Sequence, residues 1–230
     1  PLSQSFATLD ADDDSWGWNV GALFTVSDAT KVGVSYRSKI KHELEGSLSV
    51  SGPNPVFNTV GSSGANATVE LPDTFIFSVA HKLDPKWELL GDVSWTGWSS
   101  VDKVDIIRSS GALAQTLDTD FQDTWRVALG ANYQLDDAWK LKFGVAFDET
   151  PVKNAEKRLT SLPDNDRIWF SFGGQWKASK ASTLDMGVSY LYVDDTKINN
   201  GSATDLQKGL VKGEYDSSVW ILGAQYSMSF

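Results

Sequence analysis

The stretch from Tyr215 to Phe230 alternates between apolar residues and small or polar residues at every second position. The apolar set, with aromatic residues near both of its ends, contains Trp220, Leu222, Ala224, Tyr226, Met228 and Phe230. A period of two predicts a β-strand. About ten such residues, with one apolar and one polar face, are typical of a strand in an outer-membrane β-barrel.

The same alternation recurs in eight earlier segments. They cover residues 18–26, 32–40, 75–79, 87–96, 125–134, 139–148, 167–176 and 184–192. Every proline lies at the amino terminus, in a connection or just before a strand, where no ladder hydrogen bond is lost. With the last segment, the sequence therefore predicts nine antiparallel strands in an all-β fold.

The predicted connections alternate between short and long. Four are short and rich in turn-forming residues, at 27–30, 83–86, 135–138 and 178–182. Four are long and polar, at about 44–72, 99–122, 149–166 and 198–214, and we predict loops there. Short turns at one end and long loops at the other indicate the periplasmic and exterior ends of a barrel.

The strand count predicts that this chain is one part of a barrel. The chain ends at the short-turn end, so the first of nine strands starts at the long-loop end. Bacterial single-chain barrels have an even number of strands with both termini normally periplasmic, so an odd number of earlier strands should be absent. An open sheet would also leave two unpaired edges, which lipid does not tolerate. We therefore interpret residues 1–230 as the carboxy-terminal part of one outer-membrane barrel domain.

Composition leaves a soluble alternative open. No run approaches 18 apolar residues, so we expect no transmembrane helix. A net charge of −10 argues against nucleic-acid binding. The main alternative is an acidic, tryptophan-rich, carbohydrate-binding β-sandwich, whose strands also alternate. Soluble strands are usually about five or six residues long, whereas most of the segments here are longer, which favours the membrane barrel.

Several motifs, each weak alone, form an ordered series over nearly the whole chain. They are Trp16–Gly21, Val34–His42, Leu71–Asp73, Trp125–Gly130, Gly144–Val152, Leu162–Trp169, Gly187–Tyr190 and the terminal Phe230. In this order and spacing they resemble the FadL/TodX family of outer-membrane transporters for long-chain fatty acids and other hydrophobic compounds in Gram-negative bacteria. The resemblance implies a 14-stranded barrel plugged by an amino-terminal hatch. The hatch and the first five strands would be absent from this sequence.

The resemblance also implies the partners. They are a long-chain fatty acid or another hydrophobic small molecule that diffuses passively, outer-membrane lipid and lipopolysaccharide, and the barrel-assembly machinery, which would bind the strand that ends at Phe230. No cofactor and no nucleic acid is implied. A barrel with a purely structural or an enzymatic role stays open as a further alternative.

A fatty acid needs an apolar channel for its tail and cations or hydrogen-bond donors for its carboxylate. Our candidates for the ligand site are inward-facing by strand parity: Arg126, Arg167, Arg37, Lys142, Trp169 and Ile221. Arg126 and Arg167 are the strongest, because both adjoin motifs of the resemblance. Alternatively, these cations pair with Asp92, Asp148, Asp166 or Asp185 and brace the barrel.

Other polar residues give weaker signals. The family has basic residues, positioned for the ligand head group, near the start of the strand that is the fifth of the nine predicted here. The matching stretch of this sequence, 116–120, has no base. Asp10, Asp12, Asp13 and Asp14 resemble the start of a calcium loop, yet the required glutamate falls on Gly21, so we predict a solvated loop and no metal site.

Catalytic residues are scarce. The only histidines are His42 and His81, and no Gly-x-Ser-x-Gly elbow occurs. His42 could join an acid in a hydrolase site, and Glu43 and Glu45 share one strand face. For neither arrangement does the sequence indicate the further catalytic residues or the cleft that an active site needs. We therefore expect no enzyme.

Overall fold

The computed structural model of the protein describes residues 4–201 and 209–229. Within them lie sixteen β-strands, one α-helix and a short 3-10 helix at Trp98–Ser100. The elements are β1 (Phe6–Asp12), β2 (Asn19–Thr25), β3 (Thr30–Arg37), β4 (Ile40–Ser51), α1 (Pro55–Gly61), β5 (Ser63–Leu71), β6 (Thr74–Lys82), β7 (Trp87–Thr96), β8 (Lys103–Arg108), β9 (Leu113–Asp118), β10 (Thr124–Gln134), β11 (Trp139–Asp148), β12 (Arg167–Lys177), β13 (Ser182–Val193), β14 (Thr196–Gly201), β15 (Leu210–Tyr215) and β16 (Ser218–Met228).

Nine of these strands form one antiparallel meander, in the order β2-β3-β6-β7-β10-β11-β12-β13-β16. They correspond to the nine predicted strands, and the prediction is confirmed. The predicted start of the last strand is wrong, because β16 begins at Ser218 while Tyr215 ends β15. Phe230 lies outside the described residues.

One face of the meander is apolar and exposed. Leu129 is 63% exposed and Leu222 is 81% exposed, although both lie in mid-strand. Aromatic pairs form two levels on this face. One level contains the pairs Trp18–Tyr36 and Tyr190–Trp220, whose ring centroids are 5.3 and 4.7 Å apart. The other contains the pairs Trp87–Tyr133 and Trp139–Trp176, whose ring centroids are 4.6 and 6.0 Å apart. An apolar band between two aromatic girdles is the lipid-facing surface of a barrel.

The predicted short turns are confirmed at one end of the meander. In two of them an aspartate side chain closes the turn. Asp84 Oδ1 accepts hydrogen bonds from the backbone N–H groups of Lys86 and Trp87, and Asp136 Oδ1 does the same for residues 138 and 139. This local bonding is the reason aspartate favours such turns. We call this the short-turn end.

At the opposite end, the prediction of loops at 44–72 and 99–122 is wrong. These residues belong to a second antiparallel sheet, in the order β1-β4-β5-β8-β9, with α1 between β4 and β5. Its small core contains Leu48, Ala65, Ala67 and Ile106. Residues 198–201 and 210–214 lie in the β14–β15 hairpin, whereas the described segment 149–166 contains no strand. We call this the hairpin end.

The solvated loop predicted for the aspartates near the amino terminus is partly wrong, because Asp10 and Asp12 lie in β1 and pair with β4. Asn54 caps α1 by accepting hydrogen bonds from the N–H groups of Val56 and Phe57. None of the helices among the described residues has the length and apolar character needed to cross a membrane.

Candidate functional site

Charged side chains follow one another across three strands on the polar face of the meander, near the hairpin end. Arg126 on β10 is the direct cross-strand neighbour of Asp148 on β11, which in turn neighbours Arg167 on β12. Opposite charges at such positions attract each other. We call these three residues the charged row.

Arg167 binds two carboxylates. Its Nη2 lies 3.1 Å from Asp148 Oδ2, and its Nη1 lies 3.3 Å from Asp164 Oδ1. The predicted pair with Asp166 is wrong, because Asp166 Oδ1 instead accepts a hydrogen bond from the backbone N–H of Thr150. The Arg167 Nε is buried and finds no hydrogen-bond partner among the described residues.

Arg126 has a weaker set of contacts. Its Nη1 lies 3.3 Å from Asp92 Oδ1, and its guanidinium carbon lies 5.8 Å from the centre of the Trp169 ring, within the range of a cation–π interaction. The Arg126 side chain remains 38% exposed. The indole Nε1 of Trp169 is buried and, like the Arg167 Nε, has no hydrogen-bond partner within the described chain.

An apolar row lies two residues further along the strands. Trp169 has Ala146 and Leu191 as its direct cross-strand neighbours, and Leu191 is followed by Val219 on β16. The charged row and this apolar row therefore share one face, as strand parity predicts.

Lys142 and Ile221 lie on the same face, closer to the short-turn end. Lys142 Nζ lies 2.7 Å from Asp185 Oδ1, so the predicted alternative of an ion pair is present. Ile221 is the direct neighbour of Ser189 and is 45% exposed. Lys142 and Ile221 both line a groove of about 510 Å³.

Arg37 is the predicted site residue that stands apart. It ends β3 opposite Asn19 and Thr74, and its side chain is exposed. No ion pair of Arg37 occurs within the described ranges. Of the six predicted residues, the structure therefore brings Arg126, Arg167 and Trp169 together, places Lys142 and Ile221 around a separate groove, and leaves Arg37 at a distance from both.

A further ionic cluster was missed. Stretch 116–120 has no base of its own, but Lys157 Nζ lies 2.7 Å from Asp118 and Lys153 Nζ lies 2.5 Å from Asp120. The hydrogen bond from Lys153 lowers the pKa of the Asp120 carboxyl, and the one to Asp118 raises the pKa of Lys157. Lys153 and Asp120 are 33 positions apart in the chain, and Lys157 and Asp118 are 39 positions apart, so no local pattern predicts these pairs.

His42, at the hairpin end, belongs to a small hydrogen-bonded cluster with Asp13 and Ser15. His42 Nδ1 lies 3.1 Å from Asp13 Oδ2. The Ser15 hydroxyl lies within hydrogen-bond distance of two acceptors, Asp13 Oδ2 at 2.7 Å and the Lys41 carbonyl oxygen at 2.6 Å. Across residues 4–201 and 209–229, no group of three or more His, Cys, Asp or Glu side chains is arranged to hold a metal ion.

An antiparallel meander of this length, apolar and girdled outside and polar inside, is the wall of a transmembrane β-barrel. The chain belongs to the family described as "Outer membrane protein transport protein (OMPP1/FadL/TodX)", which matches residues 2–230. It is therefore a protein of the bacterial outer membrane.

Relatives agree in sequence and in fold. A "Long-chain fatty acid transport protein" of Escherichia coli K12 is 31% identical over 97% of this chain and 50% of its own length. Outer membrane protein P1 of Haemophilus influenzae is 30% identical over 78% of this chain and 39% of its own. This chain spans about half the length of the curated relatives that match nearly all of it.

Solved structures show the same fold. A Pseudomonas aeruginosa FadL homologue superposes with a TM-score of 0.86 at 22% identity, covering 95% of this chain and 53% of that one. The Pseudomonas putida toluene transporter TodX superposes with a TM-score of 0.61 at 17% identity, covering 94% and 50%. The partial barrel predicted from the sequence is confirmed, the β-sandwich alternative is wrong, and the polar face is the lumen face.

Proposed function

We propose that the protein is an outer-membrane channel for the passive uptake of hydrophobic compounds, with long-chain fatty acids first among its ligands. In this proposal residues 1–230 are the carboxy-terminal part of one barrel domain. The observation that carries it is the contact between the charged row and the apolar row, where Arg167 Nε and Trp169 Nε1 are buried donors without partners.

Unpartnered buried donors are uncommon and require an explanation. A carboxylate oxygen of a ligand would accept a charge-assisted hydrogen bond from Arg126, which is partly exposed. It would reach the two buried donors once the side chains that cover them move aside. The alkyl part would lie along Leu191 and Val219, which point into the lumen beside Trp169. Neither hydrolysis nor a cofactor is needed for this binding, so we propose a channel and not an enzyme.

The names of the relatives support this class of ligand. They describe a fatty-acid transport protein in Escherichia coli and a toluene transporter in Pseudomonas putida. We further propose that the aromatic girdles contact outer-membrane lipid and lipopolysaccharide, that the barrel-assembly machinery recognises the carboxy-terminal strand, and that nucleic acid is not a partner.

The test compares a charged with an uncharged ligand on the Arg126→Ala variant, using protein purified from outer membranes. The dissociation constant for hexadecanoate should rise about tenfold, equal to about 1.4 kcal/mol, because one charge-assisted hydrogen bond is lost. The constant for hexadecane should change less than twofold. Lys180→Ala, which removes a cation from an exposed turn, is the matched control.

A second variant separates ligand binding from bracing. Asp92→Asn removes the resident carboxylate that competes for Arg126, so hexadecanoate should bind more tightly to it. Equal weakening of both ligands in Arg126→Ala, together with weaker hexadecanoate binding in Asp92→Asn, would show that the pair only braces the wall.

A further inference from the structure

Arg158, in the connection 149–166, is the one buried cation among the described residues, with 5% of its surface exposed. Its Nε donates to the backbone carbonyl oxygen of Asp164 at 2.9 Å, and its Nη1 donates to the carbonyl oxygen of Lys197. Buried arginines are usually paired with a carboxylate, whereas no ion pair of Arg158 occurs within the described ranges. A guanidinium that binds two backbone carbonyls fixes the path of the chain.

The backbone around Arg158 is bound to the β14–β15 hairpin as well. The Asn200 side-chain amide donates to the Arg158 carbonyl oxygen at 2.6 Å, and the Asn199 N–H donates to the Ala155 carbonyl oxygen at 2.9 Å. Both asparagines belong to β14. The middle of the connection is therefore held against the hairpin, and the Arg158 side chain extends this hold to Asp164.

Asp164 in turn contacts Arg167 of the charged row. Its Oδ1 lies 3.3 Å from Arg167 Nη1, and its Oδ2 accepts a hydrogen bond from the Thr150 hydroxyl at 2.8 Å. The Asp164 side chain is 17% exposed. Arg158 thus fixes the backbone of Asp164 while Thr150 fixes its carboxylate, and together they keep this carboxylate at the guanidinium of Arg167.

Arg167 has a carboxylate partner without Asp164. Asp148, its direct neighbour on β11, lies 3.1 Å from Nη2. Arg126 reaches across β11 to the ring of Trp169, two residues from Arg167 on the same face of β12. A ligand carboxylate bound by Arg126 would therefore come close to Arg167, where Asp164 occupies Nη1.

We propose that Asp164 is an internal competitor for the carboxylate of a fatty acid at Arg167, and that Arg158 is the positioning residue that keeps it there. The inference rests on the proposed function, since it names a side chain that must move aside before the head group reaches Arg167. An anionic head group has to displace Asp164, whereas an uncharged head group does not compete for the guanidinium. Asp164 therefore lowers the affinity for acids alone.

The first test removes the competing charge in protein purified from outer membranes. Asp164→Asn keeps the shape of the side chain and should lower the dissociation constant for hexadecanoate about fivefold, because a carboxylate no longer holds Nη1. The constant for hexadecan-1-ol should change less than about twofold. Asp166→Asn is the matched control. It removes a carboxylate that binds the Thr150 N–H in the same connection, and it should leave both constants within about twofold.

Arg158→Gln tests the positioning role, because two explanations predict opposite signs. If only its charge mattered, the loss of a nearby cation would weaken the binding of hexadecanoate. If Arg158 positions Asp164, its loss frees Arg167 and should lower the dissociation constant about threefold. The two changes should not multiply. The double variant with Asp164→Asn should stay about fivefold below wild type, whereas independent effects would give about fifteenfold.

Thr150→Val removes the hydroxyl that holds the Asp164 carboxylate, and it should act in the same direction where Arg158→Gln does not fold. Folding of each variant is checked by electrophoretic mobility before and after boiling. Unchanged hexadecanoate binding in Asp164→Asn would overturn the competition, and weaker binding in Arg158→Gln or multiplied effects would overturn the positioning. In these cases hexadecanoate binding by the wild-type protein would leave the proposed function standing. Wild-type protein that bound neither ligand would refute that function and the inference with it.

Discussion

Replacing Leu129 by arginine tests whether the exposed apolar face contacts lipid. Leu129 lies in mid-β10, four positions from Trp125 and four from Tyr133, on the apolar face. At about 3.3 Å per residue these two aromatic residues are about 26 Å apart along the strand. A strand tilt of about 40° reduces this to about 20 Å of height, within the apolar band of about 25 Å expected for a barrel. Leu129, 63% exposed, therefore marks the middle of the membrane.

The free-energy cost of an arginine depends on its depth in the membrane and on whether it faces lipid or the lumen. Arginine on the lipid face costs about 2–4 kcal/mol at the bilayer midplane and about 0–1 kcal/mol near the interfaces. Leu129→Arg should therefore lower the free energy of unfolding by about 3 kcal/mol. Leu135→Arg, the same change in the short turn after β10, should cost at most about 1 kcal/mol. Ala128→Arg faces the lumen near Asp92 and should also cost little.

The measurement is reversible denaturant unfolding of the protein in lipid bilayers, followed by tryptophan fluorescence. Leu129→Arg should lower the free energy of unfolding by far more than Leu135→Arg or Ala128→Arg does. Equal costs for the two leucine variants would refute the assignment of depth, and a cost of Ala128→Arg as large as that of Leu129→Arg would refute the assignment of faces.

Two further predictions concern single positions. Gly173→Ala should destabilise the barrel by about 1–3 kcal/mol, because its β-carbon would lie 2.8 Å from the Met186 carbonyl oxygen, whereas Gly223→Ala should be tolerated in the same unfolding assay. The Lys153 hydrogen bond holds the pKa of Asp120 below its ordinary value of 3.8, so its stabilisation is present above that value and is lost as the pH falls through the lower folded pKa. Protection factors at residues 149–166, which are the intrinsic exchange rate divided by the observed rate at the same pH, should fall below about pH 4. Lys153→Gln should remove most of this dependence; an unchanged profile would contradict the role of the pair.

The sequence predicts the membrane-spanning strands well because lipid imposes the pattern. A strand with lipid on one side and the lumen on the other must alternate, as Trp139–Asp148 does, and its register then follows from parity. The hairpin end lacks this constraint. Its core contains only four buried residues among those described, Leu48, Ala65, Ala67 and Ile106. The other positions of those strands are largely polar, so the strands resemble loops in the sequence.

The ion pairs within the spanning strands were likewise easier to predict than those in the connections. Asp148 was a predictable partner of Arg167 because direct cross-strand neighbours follow from the register. Asp92 lies diagonally from Arg126 on the adjacent strand. Asp185 lies two strands from Lys142, and strand parity predicts only that both share one face. Asp164 was not predictable, since it lies in the connection before β12 and reaches Arg167 only through the conformation of that segment. The contacts of Lys153 and Lys157 with the end of β9 depend on how two separate connections meet, which no local periodicity encodes.

Bracing and ligand binding need not exclude each other at the charged row. The Arg126 and Asp92 side chains are 38% and 33% exposed, and ion pairs this open are worth about 0–1 kcal/mol. A ligand carboxylate can therefore displace Asp92 at this small cost and gain the charge-assisted hydrogen bond of Arg126, which is worth about 1.4 kcal/mol for the tenfold change expected above. Each buried methylene of the chain adds about 0.8 kcal/mol. In the proposed function, the length of the alkyl chain therefore sets most of the affinity for a fatty acid, and Arg126 sets where its head group binds.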